Sequence, residues 1–218
     1  MPTRLKGLAF SVAALVLCVP SAARAESLIL NFFDGTNTAT FMTPSAPPNS
    51  SISTSSFNLG VFAITATAND VSVDGVGVIN FSFAVLNQSP STLGFLTVTL
   101  LDSGENSPAG LVTLSNALTT SSLVGGATAS SQGFVAGGAI QTPFVIADNG
   151  VTNTSSGDGT VTPLSDWGST FSLQAPAGAG GNFTVATSIN PEPASLTLFS
   201  LGVVGIIGYS IRRRKQAA

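Results

Sequence analysis

The segment INFSFAV, at residues 79–85, decides the fold of this 218-residue chain, because large apolar residues alternate in it with small or polar ones. Successive side chains of a β-strand point to opposite faces, so a period of two is typical of a strand that buries one face. The segment LTVTL at residues 96–100 alternates in the same way, and Phe171–Leu173 and Phe183–Val185 repeat the pattern in shorter form. Between residues 26 and 190 we find no apolar stripe with the period of a helix, so this region is predicted to consist of strands.

Turn signals separate the predicted strands. Asx-Gly pairs tolerate the positive φ of tight turns, and four of them occur: Asp34-Gly35, Asp74-Gly75, Asn149-Gly150 and Asp158-Gly159. The twelve Phe residues of the region are expected to form its core. The predicted fold is all-β, an antiparallel β-sandwich of jelly-roll or Ig-like type with roughly 8–12 strands over residues 26–188.

The composition excludes several classes of active site. The chain has no His, which excludes a Ser-His-Asp triad, imidazole acid-base catalysis and His metal ligands. Its one cysteine, Cys18, excludes an intramolecular disulfide and a zinc site built from cysteines. Charged residues make up 8% of the chain, whereas 46 of the 165 residues from 26 to 190 are Ser or Thr. We therefore expect a surface solvated by hydroxyl groups and no enzymatic function.

The charges are distributed unevenly along the chain. Residues 26–190 contain nine acids and no Lys or Arg, a formal charge of −9, compared with −3 for the whole chain. Phosphate binding requires cations that this region lacks, so nucleic acid is excluded as a partner. Nucleotide sites that hold phosphate with a Lys or Arg are excluded for the same reason.

Residues 1–25 have the organisation of a secretory signal peptide. Arg4 and Lys6 precede an apolar core, Leu8–Val19, and Ala23 and Ala25 supply the small-x-small cleavage pattern. Cleavage by the export machinery would place the mature start at residue 26, and the general secretion machinery is a predicted partner. The alternative is an uncleaved membrane anchor, for which the apolar run is short.

A second hydrophobic segment, residues 194–211, has 18 residues without a charge. As a helix it would be about 27 Å long, enough to cross the hydrocarbon core of a membrane. A basic cluster follows it, and such clusters remain on the cytoplasmic side; it consists of Arg212, Arg213, Arg214 and Lys215. The sequence thus predicts a precursor anchored in the inner membrane, with residues 26–190 outside the cytoplasm and a tail over residues 189–218.

Pro191, Glu192 and Pro193 stand immediately before this predicted transmembrane helix. The order of these three residues, an apolar span and a basic stub resembles the PEP-CTERM sorting signal of Gram-negative bacteria, over residues 191–215. The resemblance implies recognition and processing by exosortase, a membrane-embedded enzyme. It also implies delivery to the envelope, cell surface or extracellular matrix of species that make exopolysaccharide. The alternative is an ordinary single-span anchor with a proline-containing stalk.

Calcium is the cofactor with the best support in the composition, because an exported domain rich in acids repels itself and a divalent ion would relieve the repulsion. Carboxylates and amides are concentrated between residues 148 and 159. The candidate ligands are Asp148, Asn149, Asn153 and Asp158, although their spacing does not match an EF-hand. The alternative is plain Asx-Gly turns on a solvated surface.

Two further sets of residues are candidates for chemistry. Trp167 is the one tryptophan of the chain and either stacks on a sugar ring or fills the core. The acid pairs Asp70 with Asp74 and Asp102 with Glu105 would suit a glycoside hydrolase, but neither is accompanied by the aromatic residues of a sugar cleft.

The function predicted from the sequence is that of a non-enzymatic exported cell-surface or extracellular-matrix protein, associated with exopolysaccharide. The alternative is a calcium-assisted polysaccharide- or protein-binding module of the adhesin type. A hydrolase that uses carboxylates alone is the third possibility, and the residues give it the least support.

Overall fold

The computed structural model describes residues 27–43, 50–73, 76–103, 110–136, 140–161 and 166–191. These residues form fourteen strands: β1 Ser27–Phe33, β2 Thr38–Met42, β3 Ser51–Ser53, β4 Phe57–Leu59, β5 Phe62–Val73, β6 Val76–Asn87, β7 Gly94–Ser103, β8 Gly110–Val124, β9 Thr128–Val135, β10 Ile140–Gln141, β11 Val145–Ile146, β12 Thr152–Val161, β13 Trp167–Ala175 and β14 Gly180–Pro191. In these ranges no helix is long and apolar enough to cross a membrane.

The strands build two antiparallel sheets of seven strands each. Sheet I has the order β10-β9-β13-β7-β1-β2, with β11 also paired to β9. Sheet II has the order β12-β8-β14-β6-β5-β3, with β4 also paired to β5. The prediction of an all-β protein made of packed antiparallel sheets is confirmed. The strand number exceeds the predicted 8–12, because four of the fourteen strands have only two or three residues, too few to show an alternation.

The core lies between the two sheets. Phe83 of sheet II and Phe171 of sheet I meet edge to face, with ring centroids 4.6 Å apart, and Phe81 and Phe183 pack against Phe83. Six of the twelve Phe residues are buried, including these four. Phe41 and Phe57 are partly buried and pack against this core. The prediction that all twelve form the core is wrong for Phe33, Phe95 and Phe144, which are exposed.

The predicted turns are mostly where the Asx-Gly pairs placed them. Gly35 and Gly150 have φ values of 95° and 73°. Val73 pairs with Val76, so only two residues connect β5 to β6. The turn predicted at Asp158-Gly159 is wrong, because both residues lie within β12 and pair with β8.

The turn between β1 and β2 carries a carboxylate whose charge stabilises the fold. Asp34 accepts hydrogen bonds from the backbone N–H of Thr36 at 2.8 Å and of Asn37 at 2.6 Å. Slight burial raises the pKa of Asp34, but these bonds and the Asn37 amide outweigh it, so the pKa lies below its ordinary value. A lowered pKa means that this stabilisation is present at neutral pH and lost as the pH falls through the folded-state value.

We therefore expect Asp34→Ala to lower the free energy of unfolding by about 1 kcal/mol at pH 7. When the pH is below the pKa that Asp34 has in the folded protein, Asp34→Ala should lower the free energy of unfolding by less. Asp34→Asn keeps a side-chain oxygen as acceptor without the charge, so its smaller loss should vary less with pH. Urea unfolding at pH 7 and pH 3 measures both variants, and an Asp34→Ala effect equal at the two pH values would contradict this role of the charge.

Candidate functional site

The predicted sorting motif begins where the folded sheet ends. Pro191 is the last residue of β14 and lies opposite Val112 of β8. Strand β14 is a central strand, paired on its other side with β6, and Ile189 near its end is fully buried. The predicted domain boundary at residue 188 thus lies inside β14.

Both ends of the described chain lie at one end of the sandwich. Ser27 of β1 pairs with Ser103 at the end of β7, and Trp167 at the start of β13 pairs with Asp102. Gly94 at the start of β7 lies against Phe62 at the start of β5 across the core, so these two strands also finish at the same end of the sandwich. Strand β5 finishes beside the start of β6, which pairs with the last residues of β14, so Pro191 lies at that end as well. We call this the terminal end.

The other predicted site residues of the signal peptide and of the sorting tail lie outside the described residues. These are Ala23 and Ala25 of the predicted cleavage site, Glu192 and Pro193 of the sorting motif, the predicted transmembrane segment 194–211, and the cluster Arg212, Arg213, Arg214 and Lys215.

The structure does not bring the four predicted calcium ligands together. Asn153 and Asp158 lie on opposite faces of β12, five residues and roughly 16 Å apart along the strand. Asn153 donates to the carbonyl of Ile146 at 2.9 Å, and Asp158 accepts from Thr113 Oγ1 at 2.7 Å.

The other two predicted ligands lie before β12. The side-chain oxygen of Asn149 accepts from the backbone N–H of Leu123 at 3.1 Å, and Asp148 is exposed. One ion cannot bind all four side chains in this arrangement. Among the described residues, no cluster of three or more acids that could hold a metal ion is found.

Trp167 is fully buried at the start of β13, opposite Asp102 on β7 and Val135 on β9. Its indole offers no exposed face to a sugar ring, so the core interpretation of this residue is the one that fits. Asp70 and Asp102, from the two candidate acid pairs, are also buried, on different sheets. Asp74 and Glu105, their predicted partners, lie outside the described residues.

The outer face of sheet II carries many hydroxyl and amide groups, and several of them bond to one another. Ser82 and Thr184 are 3.0 Å apart through their hydroxyl oxygens, and Thr119 and Thr152 are 2.8 Å apart. The amide of Asn182 donates to Ser122 Oγ at 2.9 Å. This face agrees with the hydroxyl-solvated surface expected from the composition.

The outer face of sheet I also combines polar side chains with exposed apolar ones. Phe33, Phe95 and Ile146 are 44%, 56% and 69% exposed on it. The one ionisable residue in the described strands of sheet I is Asp102, which faces the interior. This face is therefore uncharged.

A shallow groove of about 500 Å³ crosses this outer face over β7, β13, β9 and β11. Two rows of paired residues form it. The first row is Phe95, Gln174 and Thr128, and the second is Ser172, Ser130 and Ile146. We call it the sheet I groove.

The sequence contained one signal for this groove. The alternation at residues 96–100 places Thr97 and Thr99 on the outer face, and therefore Phe95 with them. The partners of Phe95 come from three other strands, and their pairing order was not readable from the sequence.

Three comparisons relate the chain to known proteins: to curated proteins, to solved structures and to family models. No curated protein matches the sequence. The solved structure of the carbohydrate-binding module TmCBM61 in complex with β-1,4-galactotriose is similar at a TM-score of 0.32 and 10% identity, covering 61% of this chain and 90% of that one. The enzymatically active domain of bacteriophage CBA120 tailspike protein 4 is similar at a TM-score of 0.24 and 12% identity, covering 60% of this chain and 19% of that one. Both scores are below 0.5, so these likenesses support no inference about a shared function.

The third comparison concerns the segment that follows β14. Residues 191–215 match the family model of the PEP-CTERM protein-sorting motif. This motif indicates an exported, membrane-anchored precursor and implies processing by exosortase. The chain therefore carries a PEP-CTERM sorting motif at residues 191–215, as its sequence predicted.

Proposed function

We propose that this protein is a non-enzymatic component of the cell surface or extracellular matrix, delivered by its sorting tail and associated with exopolysaccharide. A signal peptide over residues 1–25 starts export, and the segment 194–211 holds the precursor in the inner membrane until exosortase acts. The β-sandwich is then the part of the protein that remains at its destination.

The observation that carries this proposal is the direct continuation of β14 into the sorting motif. Pro191 is both the last residue of a central strand and the first residue of the matched motif. The attachment point therefore lies at one end of the sandwich, and the opposite end and the outer faces along its sides are left open. An extensive surface is available for contact with the surrounding matrix.

The chemistry of the domain supports a role without catalysis. The chain has no His, and residues 26–190 have no Lys or Arg. Of the six described acids, Asp70 and Asp102 are buried, Asp34, Asp158 and Asp166 interact with neighbouring residues, and Asp148 is exposed. The remaining polar surface consists largely of hydroxyl and amide groups, which are suited to a hydrated, neutral matrix.

Co-sedimentation with the host's exopolysaccharide tests the association. We expect saturable capture of the full chain in mild detergent, because the hydroxyl and amide groups of its outer faces can exchange hydrogen bonds with polysaccharide hydroxyls. An exported protein with the same tail and an unrelated domain is the control for adsorption through the tail. Capture equal to this control would contradict an association through the sandwich.

The second candidate is the calcium-assisted binding module. It predicts that capture requires calcium and is lost on chelation. Capture that is equal in calcium and in chelator would remove this candidate and leave the proposal above.

A further inference from the structure

We propose that the sheet I groove binds a neutral polysaccharide chain, with Phe95 as the surface on which a sugar ring stacks. This inference rests on the proposed association with exopolysaccharide and assigns it to one face of the sandwich. It makes no use of calcium.

The walls of the groove are apolar and stand apart. Phe95 on β7 and Ile146 on β11 are separated by β13 and β9, three interstrand spacings or about 14 Å. Both side chains are more than half exposed, at 56% and 69%. The C–H groups on one face of a pyranose ring form an apolar patch, which a phenyl ring can cover as it covers other apolar groups.

The floor of the groove offers hydrogen-bonding groups that no neighbouring side chain uses. Gln174, Thr128, Ser172 and Ser130 form the floor. Within the described part of the chain, their side chains make no hydrogen bond. One amide and three hydroxyls therefore face solvent with their donors and acceptors available.

Some hydroxyl groups on the outer face of sheet II, by comparison, are bonded to one another. On that sheet Ser82 pairs with Thr184 and Thr119 pairs with Thr152 through their hydroxyls. The floor of the sheet I groove has similar residue types without these internal bonds. A few convergent polar groups between apolar walls are typical of a site for a small or extended ligand.

The distribution of charges indicates which class of ligand the groove can bind. The described strands of sheet I place no ionisable side chain on the outer face, and residues 26–190 carry a formal charge of −9 without a cation. An anionic polymer would find no counter-charge and would be repelled. A neutral polysaccharide matches the groups present, because its hydroxyls and C–H faces need no ionic partner.

The test measures binding of the full chain in mild detergent to the neutral and acidic fractions of the host's exopolysaccharide, separated by anion exchange. We expect the wild-type protein to bind the neutral fraction. Phe95→Ala and Phe95→Leu should each weaken that binding about tenfold or more, whereas Phe95→Tyr should retain it, because only the tyrosine keeps an aromatic face. Gln174→Ala should weaken binding as well.

Leu111→Ala is the matched control, because Leu111 is an apolar side chain of similar exposure, 48%, on the outer face of sheet II. It should leave binding unchanged. A loss in Leu111→Ala as large as that in Phe95→Ala would overturn the proposal in favour of general apolar adsorption. Wild-type affinity in Phe95→Ala would overturn it as well.

Two further outcomes separate the groove from the proposed function. Capture of wild type and Phe95→Ala to the same extent would reject the groove and leave the association with exopolysaccharide intact, whereas no capture of wild type would reject both.

Sedimentation of the protein alone tests for a second copy in the groove. If Phe95→Ala separates a dimer and leaves polysaccharide binding unchanged, the groove is a contact between copies and the proposal is wrong.

Discussion

Asn87→Ala is expected to lower the free energy of unfolding by about 2–4 kcal/mol, because it removes three hydrogen bonds at a fully buried position. The Asn87 amide donates to the carbonyls of Thr92 and Ala175, at 2.8 Å each, and its oxygen accepts from the Ser89 N–H at 2.9 Å. These bonds tie the loop after β6 to the end of β13. Removing the side chain leaves the buried Ala175 carbonyl without this donor, which costs more than the mean value of a hydrogen bond.

The matched control for Asn87→Ala is Asn182→Ala. Asn182 is exposed, and its amide makes one bond, to Ser122 Oγ at 2.9 Å. Its removal should cost less than about 0.5 kcal/mol, as is usual at the surface. Urea unfolding of the two variants measures both values. Equal stabilities of Asn87→Ala and Asn182→Ala would show that the buried amide does not hold these loops together.

Phe83→Ala is expected to have the other large effect, a loss of about 3–5 kcal/mol. The Phe83 ring contacts Phe81, Phe171 and Phe183, with centroids 5.4, 4.6 and 5.4 Å away. It joins the two sheets through Phe171, so its removal leaves a cavity at the centre of the core that the strands on either side cannot close. The expected loss includes both this cavity and the free energy that burial of the ring contributes in the wild type.

Phe83→Leu and Phe33→Ala are the comparisons for this variant. Phe83→Leu keeps most of the apolar volume and should cost less than Phe83→Ala. Phe33→Ala removes the same ring from a position that is 44% exposed and should cost much less. The free energies from urea unfolding should rank in this order, and a Phe33→Ala effect as large as that of Phe83→Ala would contradict the assignment of the core.

The sequence predicted the strands whose inward residues are all apolar. Strand β6 contains the segment INFSFAV, and its Ile79, Phe81, Phe83 and Val85 are all buried. Strand β14 was predicted to be short, but it extends over twelve residues. Its inward position Thr187 is polar and fully buried, which interrupts the apolar alternation.

A buried polar network explains this interruption. Thr187 Oγ1 donates to the side-chain oxygen of Asn116 at 3.0 Å, and the Asn116 amide donates to Ser131 Oγ at 2.9 Å. These residues come from β14, β8 and β9, and each occupies an inward position that the period-two pattern assigns to an apolar residue. A polar residue can face the core only when its partners do as well, and those partners are distant in sequence.

The turn predicted at Asp158-Gly159 is wrong for a related reason, because this pair lies in a strand that also contains Gly157. A Cβ at Gly157 would come within 2.8 Å of the Gln141 carbonyl oxygen, so glycine permits a close approach of two chain segments there. Asp158 is held in the strand by Thr113. Glycine in a strand marks either a turn or a close approach, and only the tertiary structure distinguishes them.

The sheet I groove could be predicted only in part. The alternation in β7 fixes the outward direction of Phe95, but its neighbours on β13, β9 and β11 follow from the pairing order of the sheet. The sorting motif is the opposite case, because all of its residues are contiguous in the sequence and their order alone identified it.

We infer that the sorting motif at residues 191–215 delivers the sandwich beyond the inner membrane, and a pulse–chase experiment with cell fractionation tests this delivery. We predict that a full-length precursor in the inner-membrane fraction converts with time to a shorter form in the envelope or extracellular-matrix fraction. Simultaneous replacement of Pro191, Glu192 and Pro193 by Ala should block this conversion. A wild-type chain that remains full-length in the inner membrane throughout the chase would contradict the account.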